Sequence, residues 1–121
     1  MKENVLKIKS FRFAIRIVNL YKFLCDTKKE YVLSKQVLRS GTSVGAMIRE
    51  AEHSESKADF VHKMAVAQKE TNETLYWLEL LYETAFISKN EFESINTDAI
   101  ELIKLITGSI KTAKSKLTIN H

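Results

Sequence analysis

Two residue pairs in this sequence have the spacing that helical bundles use to hold a pair of iron ions. These pairs are Glu50 with His53, and Asp59 with His62. A carboxylate and an imidazole three residues apart share one face of a helix, and two such pairs need further inward carboxylates to complete a di-metal site. The first helical segment supplies no inward carboxylate, and Glu50 and His53 point away from the apolar seam of their helix. We therefore predict no metal site.

Other catalytic patterns are also missing from the sequence. It contains no phosphate-binding loop, dinucleotide fingerprint or zinc-ligand spacing. Its three histidines include the C-terminal residue, and Ser40 and Ser43 have no obvious base nearby in the sequence. We predict that the protein has no catalytic residues, needs no cofactor and is not an enzyme.

A row of basic residues could bind phosphate groups. At about 100° per residue, four cationic or titratable side chains share one narrow arc of the second helical segment. They are Lys35, Arg39, Arg49 and His53, with Arg12 and Arg16 of the first segment as further candidates. A basic stripe on a helix suits nucleic acid, whose charge lies in its phosphates. The alternative is a solvated polar face with no ligand.

The first helical segment has more apolar surface than one core requires. Its apolar residues cover an arc of roughly 200°, against the roughly 100° of an ordinary core-facing stripe. Exposed apolar surface usually marks an interface, so we predict self-association, unless this helix is simply the most central one. The predicted interface also includes an aromatic pair of the third segment, which could instead be half-buried on the bundle flank. Its residues are Phe13, Ile17, Leu20, Leu24, Tyr76 and Trp77.

Three capping-box patterns, with a hydroxyl residue three positions before an acid, divide the chain. They begin at Thr27, Ser56 and Ser88, and each precedes a long stretch of helical apolar spacing. They predict helices over about 10–26, 29–54, 57–87 and 89–117. Because the connections are short, neighbouring helices should run antiparallel. We predict an all-α, up-down-up-down four-helix bundle forming a single domain over residues 1–121.

Length and charge agree with this fold. The chain has 121 residues with no proline and only three glycines, so little interrupts a helix. Residues 1–29 carry eight Lys or Arg and two acidic residues, and residues 104–121 carry four Lys or Arg and no acidic residue. Residues 30–103 carry seven Lys or Arg and thirteen acidic residues, so both termini are basic and the middle is acidic. No apolar run is long enough for a signal peptide or a membrane span. We therefore expect a cytoplasmic protein with no membrane partner.

Several stretches of the second and third helices resemble the 23S rRNA-intervening sequence protein family, also called four helix bundle proteins. The similarity covers nearly the whole chain and is most specific at 39–51 and 69–78. One departure is Met47, where the family commonly has Asn. The matching stretches are Gln36–Ala46, Ile48–Ala51, Ser56–Phe60, Ala65–Glu70 and Glu73–Leu78.

The resemblance implies a bacterial up-down bundle that forms homopentamers. Some family members are encoded within insertions in 23S ribosomal RNA genes. The accessory proteins of diversity-generating retroelements, a related group, form pentameric barrels that bind nucleic acid and a reverse transcriptase. No catalytic residues are established for the family.

These observations predict a non-enzymatic, self-assembling scaffold that associates with RNA or DNA through basic surface residues. The alternative is an adaptor that binds another protein through Tyr76 and Trp77 and has no nucleic-acid role.

Overall fold

A computed structural model of the chain describes residues 2–119, and the side chains of residues 5–116. The described part of the chain is all-helical, with four α-helices and no strands. Their bounds are α1 Lys2–Asp26, α2 Leu33–Glu52, α3 Lys57–Glu83 and α4 Lys89–Ile119.

The four helices pack around one apolar core. α2 lies between α1 and α3, and α4 lies between α3 and α1, so that α1 and α3 occupy opposite corners. Side-chain contacts join the end of one helix to the start of the next: Cys25 Sγ lies 3.7 Å from Ser34 Oγ, and Tyr82 stacks on Phe92 with ring centroids 4.7 Å apart. The contacts are those of a four-helix bundle.

The core is apolar along most of its length. It includes three side chains of α1 that are almost completely buried, Phe13, Ile17 and Leu24. One buried polar contact crosses the core between α2 and α3, where the Thr74 hydroxyl lies 2.9 Å from the Ser40 hydroxyl. The remaining apolar core residues are Leu6, Val37, Val44, Ile48, Ala51, Met64, Ala67, Leu78, Leu81, Ile87, Ile95, Ala99, Leu102, Ile106 and Ile110.

Helix α1 begins eight residues before the predicted start at residue 10, so Ser10 is not its N-cap. Ser10 is 1% exposed, and its hydroxyl donates to the carbonyl of Lys7 one turn earlier. The apolar spacing of α1 continues back to Leu6, which is buried in the core. Burial of Leu6 explains why the helix extends about two turns beyond the predicted boundary.

The predicted capping box at Ser88 is complete, and the one at Ser56 is half formed, because its acid accepts from the residue before the N-cap. The Ser88 hydroxyl accepts from the N–H of Glu91 at 3.2 Å, and the Glu91 carboxylate accepts from the N–H of Ser88 at 3.1 Å. Ser56 Oγ accepts from the N–H of Asp59 at 3.0 Å. The Asp59 carboxylate accepts from the N–H of Glu55, at 3.2 Å.

The predicted box at Thr27 is wrong, because its residues belong to the turn between α1 and α2. Lys29 has a positive φ of 56°, which ends the helical path, and α2 begins at Leu33 rather than at residue 29. Glu30 instead caps α2 from outside the helix: its carboxylate accepts from the N–H groups of Leu33 at 3.0 Å and Ser34 at 2.7 Å.

Helix α3 ends at Glu83, four residues before the predicted end at 87. Ala85 adopts the left-handed conformation with φ 67°. Its N–H donates to the carbonyl of Tyr82, and the N–H of Phe86 donates to that of Leu81. This is a Schellman motif, which terminates helices and usually has glycine at the left-handed position. Because alanine occupies that position, the sequence pattern did not reveal the stop.

Candidate interaction surfaces

Helix α1 presents a second apolar face on the side away from the core. Ile8 and Phe11 are each 51% exposed, Ile15 is 48% exposed and Val5 is 40% exposed. Ile8, Phe11, Ile15 and the partly exposed Val18 follow one another at spacings of three, four and three residues. That spacing is the one with which a helix packs against another helix. We call Val5, Ile8, Phe11 and Ile15 the outer stripe of α1.

A groove of about 220 Å³ lies beside the outer stripe, between α1 and α2. Small side chains make it shallow, and Gly45 lets the two helices approach closely: a Cβ on Gly45 would lie 3.3 Å from the carbonyl oxygen of Ser10. The guanidinium of Arg49 lies 4.9 Å from the centroid of the Phe11 ring, at one wall of the groove. Its lining residues are Phe11, Ala14, Thr42, Gly45, Ala46 and Arg49.

The predicted interface residues of α1 are placed differently from expectation. Phe13, Ile17 and Leu24 are at most 1% exposed and form the chain's own core, so they are not available to a second copy. Leu20 is partly buried and packs against that core. The physical reason is that α1 is apolar on two faces, and these three residues lie on the face that the bundle buries. The spacing of Ile8, Phe11, Ile15 and Val18 is the sequence signal for the other, exposed face.

The predicted aromatic pair lies on α3. Tyr76 is 57% exposed, whereas Trp77 is partly buried and packs against the core. Their rings meet edge to face with centroids 5.0 Å apart. The indole N–H of Trp77 donates to Glu73 at 3.0 Å. Tyr76 is therefore the member of the pair that is free to contact a partner.

Two of the six predicted phosphate-binding residues are engaged by carboxylates. Arg39 pairs with Glu73 and, at 3.3 Å, with Glu70, both on α3. Arg16 donates to Asp98 on α4 at 2.7 Å and to the Ser94 hydroxyl at 3.0 Å. These contacts already use several hydrogen-bond donors of each guanidinium, and the carboxylates offset its positive charge.

The other four predicted phosphate-binding residues are exposed: Arg12, Lys35, Arg49 and His53. Within the described side chains, none of them forms an ion pair with a carboxylate. Lys35, Arg49 and His53 share the outer side of α2, as the helical spacing predicted. Within the described side chains, Lys35 and Arg49 therefore leave positive charge without a carboxylate partner on this side of α2.

The seam between α1 and α4 is closed by polar contacts at the surface. Among the described side chains, two ion pairs join these helices: Lys9 with Glu101 at 3.2 Å, and the Arg16–Asp98 pair. Crevices of about 290 Å³ and 200 Å³ open along this seam. The larger crevice contains Asn19 and Glu91 at its rim with Leu20, Phe23 and Ile95 below, a mixed lining with no converging set of reactive groups.

The residues considered for metal binding lie on the surface. Glu50, His53 and His62 are exposed. The hydrogen bond from the backbone N–H of Glu55 holds the pKa of Asp59 below its usual value; burial opposes this effect, and Lys63 adds further lowering. Within the described residues, no group of three or more His, Cys, Asp or Glu side chains is arranged to hold a metal ion. None of the helices in residues 2–119 has the length and apolarity needed to cross a bilayer.

These features define an all-helical bundle with an exposed apolar stripe on α1 and exposed cationic side chains on α2. The family model for the 23S rRNA-intervening sequence protein matches residues 2–108, and the chain belongs to this family.

A solved structure agrees with this assignment. The chain is similar to a crystal structure, at 1.70 Å resolution, of a protein with unknown function from the S23 ribosomal protein family of Bacteroides thetaiotaomicron VPI-5482. The two share 59% sequence identity and superpose with a TM-score of 0.91, over 92% of this chain and 99% of the other. No curated protein matches the chain.

Proposed function

We propose that this protein is a non-catalytic, cytoplasmic scaffold, an up-down-up-down bundle that assembles with further copies of itself through the outer stripe of α1. The observation that carries the proposal is the exposure of Ile8, Phe11 and Ile15, each close to half exposed, at helix-packing spacing. Contiguous apolar surface of this kind is typical of interaction sites.

The outer stripe can supply part of the free energy that association needs. Full burial of one large apolar side chain contributes about 1.5–3 kcal/mol relative to full exposure. Burying the exposed halves of Val5, Ile8, Phe11 and Ile15 therefore contributes roughly 3–6 kcal/mol per copy. Association costs about 4–15 kcal/mol in lost freedom of motion, so the stripe alone is insufficient and must be part of a larger interface. The resemblance described above predicts five copies.

Light scattering coupled to size-exclusion chromatography tests the assembly at micromolar concentration. The wild-type protein should elute at a multiple of 13.9 kDa. Ile15→Glu places a charge in the middle of the outer stripe and should shift the mass towards that of one chain. Val32→Glu is the matched control, because Val32 is 71% exposed in the turn before α2 and lies outside the stripe. A monomeric wild-type protein would refute the proposal.

Association with nucleic acid is a second candidate function, favoured by the uncompensated positive charge on the outer side of α2. Lys35 and Arg49 are exposed there without a carboxylate partner. Arg12 and His53 would contribute at the margins. Because Arg16 and Arg39 are already paired, we assign them no direct phosphate contact in this proposal.

Fluorescence anisotropy with labelled RNA and DNA, at low and moderate salt, tests this second function. Affinity should fall steeply with salt, since each phosphate contact contributes about 0.9 to the slope of log affinity against log salt for duplex DNA. Lys35→Glu with Arg49→Glu should abolish binding at moderate salt. Lys63→Glu is the control, because Lys63 lies on α3 beside Asp59. Absence of binding even at low salt would exclude this function.

A further inference from the structure

We infer that the outer stripe of α1 docks onto the acidic face of α3 on the next copy, rather than onto the outer stripe of that copy. This inference rests on the proposed self-assembly and names the surface that receives the stripe. The acidic face comprises the exposed or partly exposed residues Tyr76, Glu79, Leu80 and Glu83.

The outer stripe is bordered by positive charge. Arg12 and Lys22 are exposed on α1, and the Arg49 guanidinium lies over the Phe11 ring. None of the three pairs with a carboxylate among the described side chains. If two outer stripes met face to face, six such cations would be gathered around one apolar contact. Like charges brought together in this way repel one another, and they repel more strongly as water is excluded.

The acidic face of α3 has the complementary properties. Residues 70–83 carry four glutamates and no lysine or arginine. Arg39 compensates Glu70 and Glu73, but Glu79 and Glu83 are exposed and have no cationic partner within the described side chains. Between these two acids and Trp77, the Tyr76 ring offers an apolar surface that is 57% exposed.

The two surfaces also share the same helical spacing and lie at opposite corners of the bundle. Tyr76, Leu80 and Glu83 succeed one another at spacings of four and three residues, the same helical pattern as the outer stripe. α1 and α3 occupy opposite corners of the bundle, so that one copy can contact two neighbours at once. A contact between two different surfaces propagates from copy to copy, and the rotation between neighbours then sets whether it closes into a ring.

Two interface variants test this arrangement by light scattering, each alone and then mixed. Ile15→Glu disrupts the outer stripe, and Tyr76→Glu disrupts the acidic face; Val32→Glu serves again as the control. Each interface variant should be monomeric alone. In an equimolar mixture, the intact outer stripe of Tyr76→Glu should dock onto the intact acidic face of Ile15→Glu. The product should be a one-to-one pair, with twice the 13.9 kDa mass of one chain, and no larger species should form.

Reversing the charges gives an independent check. Glu79→Lys with Glu83→Lys should weaken assembly, and Arg12→Glu with Lys22→Glu in the same chain should restore it. Circular dichroism of each variant checks that it remains helical, which separates a loss of assembly from a loss of folding.

The possible results separate this inference from the proposed function. If Ile15→Glu is monomeric while Tyr76→Glu retains the wild-type mass, self-assembly stands and docking onto α3 is overturned; the Tyr76 surface would then be open to a different protein. If both variants are monomeric but do not pair when mixed, the docking is also overturned. A monomeric wild-type protein removes the proposed function and this inference together.

Discussion

Replacing Gly41 by alanine tests the packing of α1 against α2. A Cβ at this position would lie 2.7, 2.8 and 2.9 Å from Cγ1, Cγ2 and Cδ1 of Ile17. Carbon atoms in well-packed interiors sit about 3.5–4.0 Å apart. Because Ile17 is fully buried, its side chain has no free space into which it could move. Gly41→Ala should therefore push α1 and α2 apart.

The expected loss is the difference between two effects. Alanine in a helix interior is more favourable than glycine by about 0.5–1 kcal/mol. Overpacking a tight core costs about 1–3 kcal/mol, and contact with three carbon atoms at once places this site at the upper end. We expect Gly41→Ala to lower the free energy of unfolding by about 1–2 kcal/mol. Gly108→Ala is the matched control: apart from its own stretch of helix, nothing lies within 4 Å of its added Cβ, so this variant should gain stability.

Urea unfolding followed by circular dichroism measures both variants, at one protein concentration so that assembly contributes equally. A double-mutant cycle then isolates the contact. Ile17→Ala alone should cost about 2–5 kcal/mol, but it removes the three atoms that oppose the new methyl group. It should therefore cost less in the Gly41→Ala background by the whole overpacking penalty, about 1.5–3 kcal/mol. If Gly41→Ala is as stabilising as Gly108→Ala, the described packing of α1 on α2 is incorrect.

Three further substitutions test the helix ends and the buried polar contact by the same unfolding assay. Partial burial raises the pKa of Glu30, but hydrogen bonds from the N–H groups of α2 outweigh it and leave the pKa lowered. The ionised Glu30 carboxylate therefore stabilises the fold above the ordinary glutamate pKa, and this stabilisation is lost as the pH falls through the lower pKa of the folded state. Glu30→Gln should lower the free energy of unfolding by about 1 kcal/mol at pH 7 and leave it unchanged in strong acid. An unchanged difference at both pH values would contradict this. Ala85→Gly should stabilise by up to about 1 kcal/mol, since a left-handed non-glycine residue costs about 1–2 kcal/mol; a loss would contradict the Schellman assignment. Thr74→Val should cost about 1–3 kcal/mol by leaving the Ser40 hydroxyl unpaired, and adding Ser40→Ala should recover most of it; additive losses would show that the contact is unimportant.

The sequence predicted the helices well because their core spacing and two of their caps are local. The box at Thr27 failed although its residue types match the one at Ser88, because capping depends on backbone conformation as well as on side-chain type. Lys29 enters the left-handed region, and Glu30 then caps the following helix instead. A bulky residue in that conformation is uncommon, so its type gave no warning.

The candidate surfaces were harder to predict because they depend on contacts distant in sequence. Arg39 was expected to be available to phosphate, but its partners Glu70 and Glu73 lie 31 and 34 residues further along the chain. The two faces of α1 are both apolar, so composition could not show which one the bundle buries. Only the positions of α2 and α4 around α1 assign Ile17 to the core and Ile15 to the surface.

The buried contact between Ser40 and Thr74 has a consequence for the uniqueness of the fold. Apolar seams repeat every three or four residues, so α2 could slide along α3 by one turn and still bury similar side chains. Such a slide would move the two hydroxyls apart. The Thr74 hydroxyl would keep its hydrogen bond to the carbonyl of Glu70, at 2.8 Å within α3, but the Ser40 hydroxyl would lose its partner, at a cost of about 1–3 kcal/mol. The pair contributes little net stability but penalises each shifted alignment. The Ser40–Thr74 contact thereby specifies the alignment of α2 with α3, and with it which residues of the two helices lie side by side at the surface.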